Sequence, residues 1–339
     1  MDNGFLTSYK IDDRSYVSFI KREIHNLLLT SGFSTFRTGE IDIIVSEITS
    51  NVTKYVTSAE LLYRVGTDST GTFLEIFCID NGKGIANLNK MMLDGNSTSS
   101  TLGQGLGAIQ RLSDDFHIYT QRDWGTILHS KSYQVRKNTQ VSKEVIEFGK
   151  VQVCAPSEII CGDGYFVKRS PLAMQIFMGD GLGHGKGANE AVEAALVAFK
   201  ECRDSDPSDI LRYIHNEIKK TRGVVITIAC VDFKSKEWKI CGIGNISTRL
   251  YTGLECKNYT PYNGIVGHNI PRTLNSSAMP LERYQTIVMH SDGLRTRWSL
   301  TELASIIKYD PNIIAAALYK DNARQNDDMS VLVGKINIS

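Results

Sequence analysis

Residues 178–185 read MGDGLGHG and close the apolar stretch AMQIFMG at 173–179. A short apolar run of this length reads as a strand, and the glycines after Asp180 stop and turn it. Three further stretches repeat this arrangement: Asp163 in CGDGYF at 161–166, Asp292 in HSDGL at 290–294, and Asp327 with Asp328 in NDDMSVLV at 326–333. A lone Asp-Gly is first of all a turn dipeptide. The ordered series carries the chemistry, because carboxylates brought together at strand ends need cations between them. Oxygen ligands of this kind suit Mg2+ or Mn2+, and two such ions can activate a shared water and clamp an in-line displacement at phosphorus. Glycine after Asp163, Asp180 and Asp292 lets backbone approach the ions closely.

Working outward, KVQVCAP, YFVKR, VVITIACVDF, WKICGIG, STRLYTG and QTIVMHS also read as strands. Helices are expected at NEAVEAALVAFKECR, PSDILRYIHNEIKK and PNIIAAALYKDN. Many strands with few helices predict a layered sheet sandwich in an α+β chain. Residues 134–147 are polar and weakly periodic, so they are expected to link a domain at 1–133 to one at 148–339.

From about residue 148 to 337 the series resembles the SpoIIE-like branch of the metal-dependent (PPM-type) serine/threonine phosphatases. The resemblance implies an αββα sandwich that removes phosphate from phosphoserine or phosphothreonine on a protein. By it, Asp180 bridges two Mn2+ or Mg2+ ions and their water, Asp163 and the Gly181 carbonyl serve the first ion, and Asp292 with Asp327 the second. Asp328 fits the neighbouring place, as an orienting residue or a spare ligand. GIGNISTRLYTG at 242–253 is similar to the family's glycine-bearing hairpin. His184 could act as a proton donor to the leaving serine oxygen, but it is offset from the histidine of other branches and the structural reading is preferred. No arginine in the sequence can be assigned as a phosphate clamp.

The first half has its own ordered set. SYVSFIKREIHNLLLT at 15–30 and EIDIIVSEITSNVTKYV at 40–56 carry helical periods, and Glu47 and Asn51 share one stripe of the second. Strands at ELLYRVG and TFLEIFCI lead to Asp80-Asn81-Gly82-Lys83-Gly84. Gly103, Gly105 and Gly107 form a glycine loop opening a helix, and a hairpin containing Gly125-Thr126 closes the half. Asn51 can ligate Mg2+ on phosphates, Asp80 can accept from an adenine amino group, and Gly82 and Gly84 leave room for the base. Any one of these features has a bland reading, the glycine loop as a turn and Glu47 as a helix-surface carboxylate. Together, over residues 8–133, they resemble the GHKL (Bergerat) ATPases, and among them the anti-sigma-factor serine kinases. That resemblance implies ATP with Mg2+, Thr126 in the adenine pocket, Glu47 as the general base of a kinase, and a homodimer through this domain.

The bulk figures narrow the classes. Basic and acidic residues number 38 and 37 with no long single-sign block, so a nucleic-acid partner is not expected. Seven cysteines without CxxC spacing read as buried thiols of a reducing cytosol. Neither a signal-peptide core nor a membrane-length apolar run is present, so a cytoplasmic protein away from membranes is expected. The favoured expectation is a partner-switching regulator whose client is a STAS-type antagonist, as the resemblance implies. An alternative makes the first half a non-catalytic ATP-sensing module that sequesters a sigma factor or antagonist. In a third reading the acidic turns are structural and the chain is an inert scaffold.

Overall fold

The computed structural model describes residues 4–12, 14–92, 105–136, 145–156, 158–303 and 305–337. The chain divides into two compact units, Met1–Val141 and Ser142–Ser339.

The first unit runs β1 (Thr7–Ile11), α1 (Arg14–Thr30), α2 (Thr35–Tyr55), β2 (Ala59–Thr67), β3 (Thr72–Asp80), α3 (Leu88–Met92), α4 (Gly105–Leu112), β4 (Asp115–Gln121) and β5 (Gly125–Tyr133). Its strands form one five-stranded sheet in the order β1-β2-β3-β5-β4, antiparallel at every pairing. The apolar stripe of α1 (Ile20, Ile24, Leu28) and that of α2 (Ile41, Ile44, Val45, Ile48) share a core with Leu61, Leu74 and Ile76 of the sheet. α2 begins before its apolar period because Ser34 caps it, accepting from the backbone N–H of Arg37. The Arg37 side chain ties the helix to the sheet, donating through Nε to the Tyr133 carbonyl at 2.8 Å and through Nη2 to Asp114 at 2.5 Å.

The second unit runs β6 (Ile146–Val153), β7 (Asp163–Arg169), β8 (Ala173–Gly181), α5 (Lys186–Glu201), α6 (Pro207–Glu217), β9 (Val224–Asp232), β10 (Glu237–Ile243), β11 (Ser247–Thr252), β12 (Glu255–Tyr259), β13 (Ser277–Pro280), β14 (Gln285–His290), α7 (Pro311–Asn322) and β15 (Met329–Ile336). Two five-stranded sheets result, β13-β10-β9-β8-β7 and β12-β11-β14-β15-β6. Ile176, Met178, Ala229 and Ile240 of the first sheet meet Leu250, Ile287, Met289 and Leu332 of the second in one core. On the opposite face of the first sheet, Phe177, Ile226 and Ile228 pack with Ala191, Ala195 and Phe199 of α5 and with Ile210 and Ile214 of α6. The switch of face between Ile176, Phe177 and Met178 is the two-residue strand period. α7 lies against β6, whose Lys150 N–H donates to Asn312 Oδ1 at 3.1 Å. The layers are therefore helix, sheet, sheet, helix.

Some elements depart from the sequence reading. β6 starts at Ile146, inside the stretch expected to be linker, and residues 137–144 of that stretch lie outside the described residues. β1, α3, β12, β13 and β15 are additional elements. β12 is exposed at all but its last position and β13 is largely exposed, so neither edge strand shows apolar alternation. β15 is buried at every position except Lys335 and reads as a continuous apolar run. The cysteines are not all buried thiols: Cys256 on β12 is exposed and Cys154 is half-buried. Among the described residues no helix is long and apolar enough to cross a membrane.

Candidate active site

The aspartates of the second unit come together where strands of both sheets end. Asp163 opens β7 and stands opposite Asp180 near the end of β8 in the register of the two strands. Asp292 lies in the turn after β14, and Asp327 and Asp328 lie immediately before β15. Gly181 must be glycine, because a Cβ there would sit 2.3 Å from the Ala188 carbonyl oxygen at the start of α5. Its N–H donates to the Gly162 carbonyl at 3.0 Å, closing the Asp180 strand end onto the Asp163 strand.

The electrostatics show that the side chains share one locus. Burial, followed by the charges of Asp163, Asp292, Asp327 and Asp328, pushes the Asp180 carboxyl up to about 10. Asp163 is pushed up to about 7, first by burial, with the charges of Asp328 and Asp292 adding to the rise and the hydroxyls of Ser291 and Ser330 opposing it, although the Ser330 Oγ itself is not placed to make a hydrogen bond. Asp163 Oδ2 accepts from Ser291 Oγ at 2.7 Å. Its Oδ1 is buried with no hydrogen-bond partner. A buried carboxylate oxygen without a donor, facing other carboxylates, is costly unless a cation takes its lone pairs. The donor set is all oxygen, which fits hard divalent ions such as Mg2+ or Mn2+.

Asp328 is placed differently from the others. Its Oδ1 accepts from the Ala155 N–H and its Oδ2 from the Gly162 N–H, both at 2.8 Å. Both of its oxygens are thus engaged by backbone N–H groups. Beside it, the Cys154 and Cys161 sulfurs and an Asp328 oxygen lie within 4.8 Å of one another. A hydrogen bond with Cys154, then burial, pushes the Cys161 thiol well up, which keeps it protonated. Two residues that the sequence reading did not single out also reach the cluster: Ser291, through Asp163, and Asn245, whose Nδ2 donates to Asp292 Oδ2 at 2.9 Å. His184 is exposed, and its Nδ1 lies 2.7 Å from Glu158 Oε1.

In the first unit α4 lies against the polar stripe of α2. A Cβ on Gly105 would lie 3.1 Å from Glu47 Oε2 and 3.6 Å from Asn51 Oδ1, so these residues meet. Gly105 and Gly107 belong to α4 itself and not to a loop before it, while Gly103 lies outside the described residues. Asp80 ends β3, and its Oδ1 accepts from Gly82 N at 2.7 Å and from Thr126 N at 3.2 Å. Gly125 has a φ of +121° and a Cβ there would sit 2.0 Å from the Asp80 carbonyl oxygen, which explains why β5 begins with glycine. Gly84 backs onto the Gln121 carbonyl of β4, and Thr120 Oγ1 lies 3.2 Å from Thr126 Oγ1. The acidic residue, the glycines and Thr126 are therefore gathered at one end of the sheet.

A sandwich of two sheets between helices, with aspartates massed at the strand ends, defines a class of metal-site phosphatases, and comparison with known proteins identifies it. The family model described as Stage II sporulation protein E (SpoIIE) matches residues 170–337. Phosphoserine phosphatase RsbX of Bacillus subtilis (strain 168) is 23% identical over 206 residues, covering 60% of this chain and 98% of RsbX. Serine/threonine-protein kinase RsbT of the same organism is 33% identical over 101 residues, covering 30% of this chain and 76% of RsbT. A chain solved in work on the bacterial stressosome, described there as a modular system adapted to control secondary messenger signaling, superposes with a TM-score of 0.53 at 26% identity, covering 56% of this chain and 100% of that one. The crystal structure of RsbX in complex with magnesium shares the fold, with a TM-score of 0.51 at 22% identity over 58% of this chain and 98% of that one. The second unit is a SpoIIE/PP2C-type phosphatase domain, and through the 101 residues shared at 33% identity the chain belongs to the family of RsbT.

Proposed function

We propose that the second unit removes phosphate from phosphoserine or phosphothreonine on a partner protein, the client being a STAS-type antagonist in a partner-switching circuit. The observation that carries this reading is the massing of carboxylates on Asp180 beside the undonated Oδ1 of Asp163. Asp163, Asp180, the Gly181 carbonyl, Asp292 and Asp327 would hold two Mn2+ or Mg2+ ions. Bound there, the ions supply a nucleophilic water and neutralise phosphoryl oxygens. The chain's own part is positional: Ser291 fixes Asp163, Asn245 fixes Asp292, and Asp328 locks the backbone on either side of the Cys154–Cys161 segment. Phosphate release from p-nitrophenyl phosphate with added Mn2+ tests the reading. Asp180→Ala and Asp292→Ala should each remove it, and a wild-type protein silent with Mn2+ would return the acidic turns to a structural role.

For the first unit we propose a GHKL-type ATP site, in a domain at 1–133 joined to the phosphatase by the stretch that precedes β6 at Ile146. Asn51 would meet Mg2+ on the nucleotide; Asp80, Gly82, Gly84 and Thr126 would receive adenine; and Gly103, Gly105 and Gly107 the phosphates. The meeting of Gly105 with Glu47 and Asn51 supports this, as does the likeness to RsbT, itself named a serine/threonine-protein kinase. On the kinase reading Glu47 takes the proton of a client hydroxyl and the unit pairs as a homodimer in the cytoplasm. On the second reading the unit binds ATP and sequesters a sigma factor or antagonist without transferring phosphate. Labelled ATP with candidate antagonists separates the two, since Glu47→Ala should abolish labelling only if the unit is a kinase.

A further inference from the structure

We propose that Arg222 is the anion-binding residue of the phosphatase site, offering its guanidinium to the phosphoryl group of the client; this rests on the phosphatase reading above. Its place follows from the strands that carry Asp180. In the antiparallel register of β8 and β9, Asp180 stands opposite Val225 and Gly181 opposite Val224. The pairing continues one step beyond, with the Leu182 N–H donating to the Gly223 carbonyl at 3.2 Å. Arg222 is the next residue outward, and its side chain turns back over the segment that follows Asp180. A Cβ on Gly187 would come 2.7 Å from Arg222 Nε and 2.8 Å from Cζ, and one on Gly183 would come 3.5 Å from Nη1. The guanidinium thus lies along two stretches of glycine backbone, a berth that a side chain at position 187 would fill.

Its charge is uncommitted where its neighbours' charges are not. His184 is held by Glu158 at 2.7 Å and Lys186 by Glu190 at 3.7 Å. Arg222 is exposed and, among the described residues, forms no ion pair. A phosphorylated client brings an anion toward a site already crowded with carboxylates, so a cation at the rim favours its approach. The planar fork of arginine matches phosphate oxygens two at a time, which a point charge does not.

The test uses the full chain loaded with Mn2+, with inorganic phosphate and p-nitrophenyl phosphate as probes. Arg222→Ala should weaken phosphate binding in calorimetry, raise the inhibition constant of phosphate and raise KM, each by about tenfold, as expected for loss of a charge-assisted hydrogen bond. kcat should fall by a smaller factor. Arg222→Lys should recover part of the loss. Gly187→Ala leaves the arginine in place but occupies its berth, and should reproduce the rise in KM although alanine suits a helix better than glycine. Unchanged phosphate binding and KM in Arg222→Ala, with an active wild type, would overturn the assignment, as would a wild type that binds no phosphate. If the wild type proves inactive yet binds phosphate through Arg222, the anion site stands and the phosphatase reading alone falls.

Discussion

Asp163 and Asp180 stand opposite one another across β7 and β8, and the Asp163 oxygen not held by Ser291 has no donor of its own. Burying the two carboxyls together opposes folding, a cost that cations in the proposed site would offset.

Asp180 is pushed up to about 10, so at neutral pH the metal-free protein must take up a proton there to fold, and replacing this carboxyl should stabilise it. Asp180→Asn is expected to raise the thermal midpoint in a chelator while abolishing the rise that Mn2+ gives the wild type. That rise reflects binding to the native state, about 2.7 kcal/mol at a hundredfold excess over Kd. Thermal unfolding of both proteins with and without Mn2+ makes the comparison, and a less stable variant in chelator would contradict the account of the cluster.

Gly181→Ala should cost about 2 kcal/mol or more, because its methyl group meets the Ala188 carbonyl oxygen at 2.3 Å and the strand end or α5 must move. Denaturant titration measures the loss. Mn2+-dependent phosphate release should fall with it, since the displaced backbone carries the proposed carbonyl ligand.

His290 should make the protein sensitive to mild acid. Its Nδ1–H donates to the Ser291 carbonyl at 2.7 Å and its Nε2 accepts from Trp298 Nε1 at 3.2 Å, which fixes a neutral ring. Burial above all, with the charge of Arg249, pushes it from 6.5 down to about 4, against the bond to Ser291. Below 6.5 the unfolded chain takes up a proton that the folded chain refuses until about 4, so stability falls as pH drops through that window, by up to about 3 kcal/mol. Chemical unfolding at pH 7, 5.5 and 4.5 should show a steeper loss in the wild type than in His290→Gln.

Asp80→Asn should separate folding from nucleotide binding in the first unit. The amide keeps an oxygen for the Gly82 and Thr126 N–H groups, so unfolding should shift by less than about 1 kcal/mol. Its other terminus becomes a donor, which in the proposed site would meet the adenine amino group with the wrong polarity. ATP affinity should fall about tenfold or more by calorimetry, and an unchanged affinity would place the base elsewhere.

How far the sequence announced all this depends on distance along the chain. Asp163, Asp180 and Asp292 could be read because each is marked by its own strand end and a following glycine. Ser291 and Asn245 could not, since their importance lies in hydrogen bonds to residues 128 and 47 positions away, though the first abuts Asp292 and the second sits in the glycine-bearing hairpin. Arg222 had no local signal at all, because what singles it out is the glycine backbone beneath it. Buried strands such as β9 declared themselves as apolar runs of strand length, whereas β12 lies exposed on an edge and carries no apolar pattern to read.

The pairing of β6 with β15 joins the opening strand of the second unit to its closing one, over eight residue pairs from Ile146–Ile336 to Val153–Met329. Because β15 sits between β14 and β6, a nascent chain holds that sheet in two unjoined parts until residue 336 has cleared the ribosome. Asp327 is among the last site residues to be synthesised. The proposed metal cluster therefore depends on a long-range closure, of the kind that forms slowly, and a chain lacking residues 327–336 would lack it.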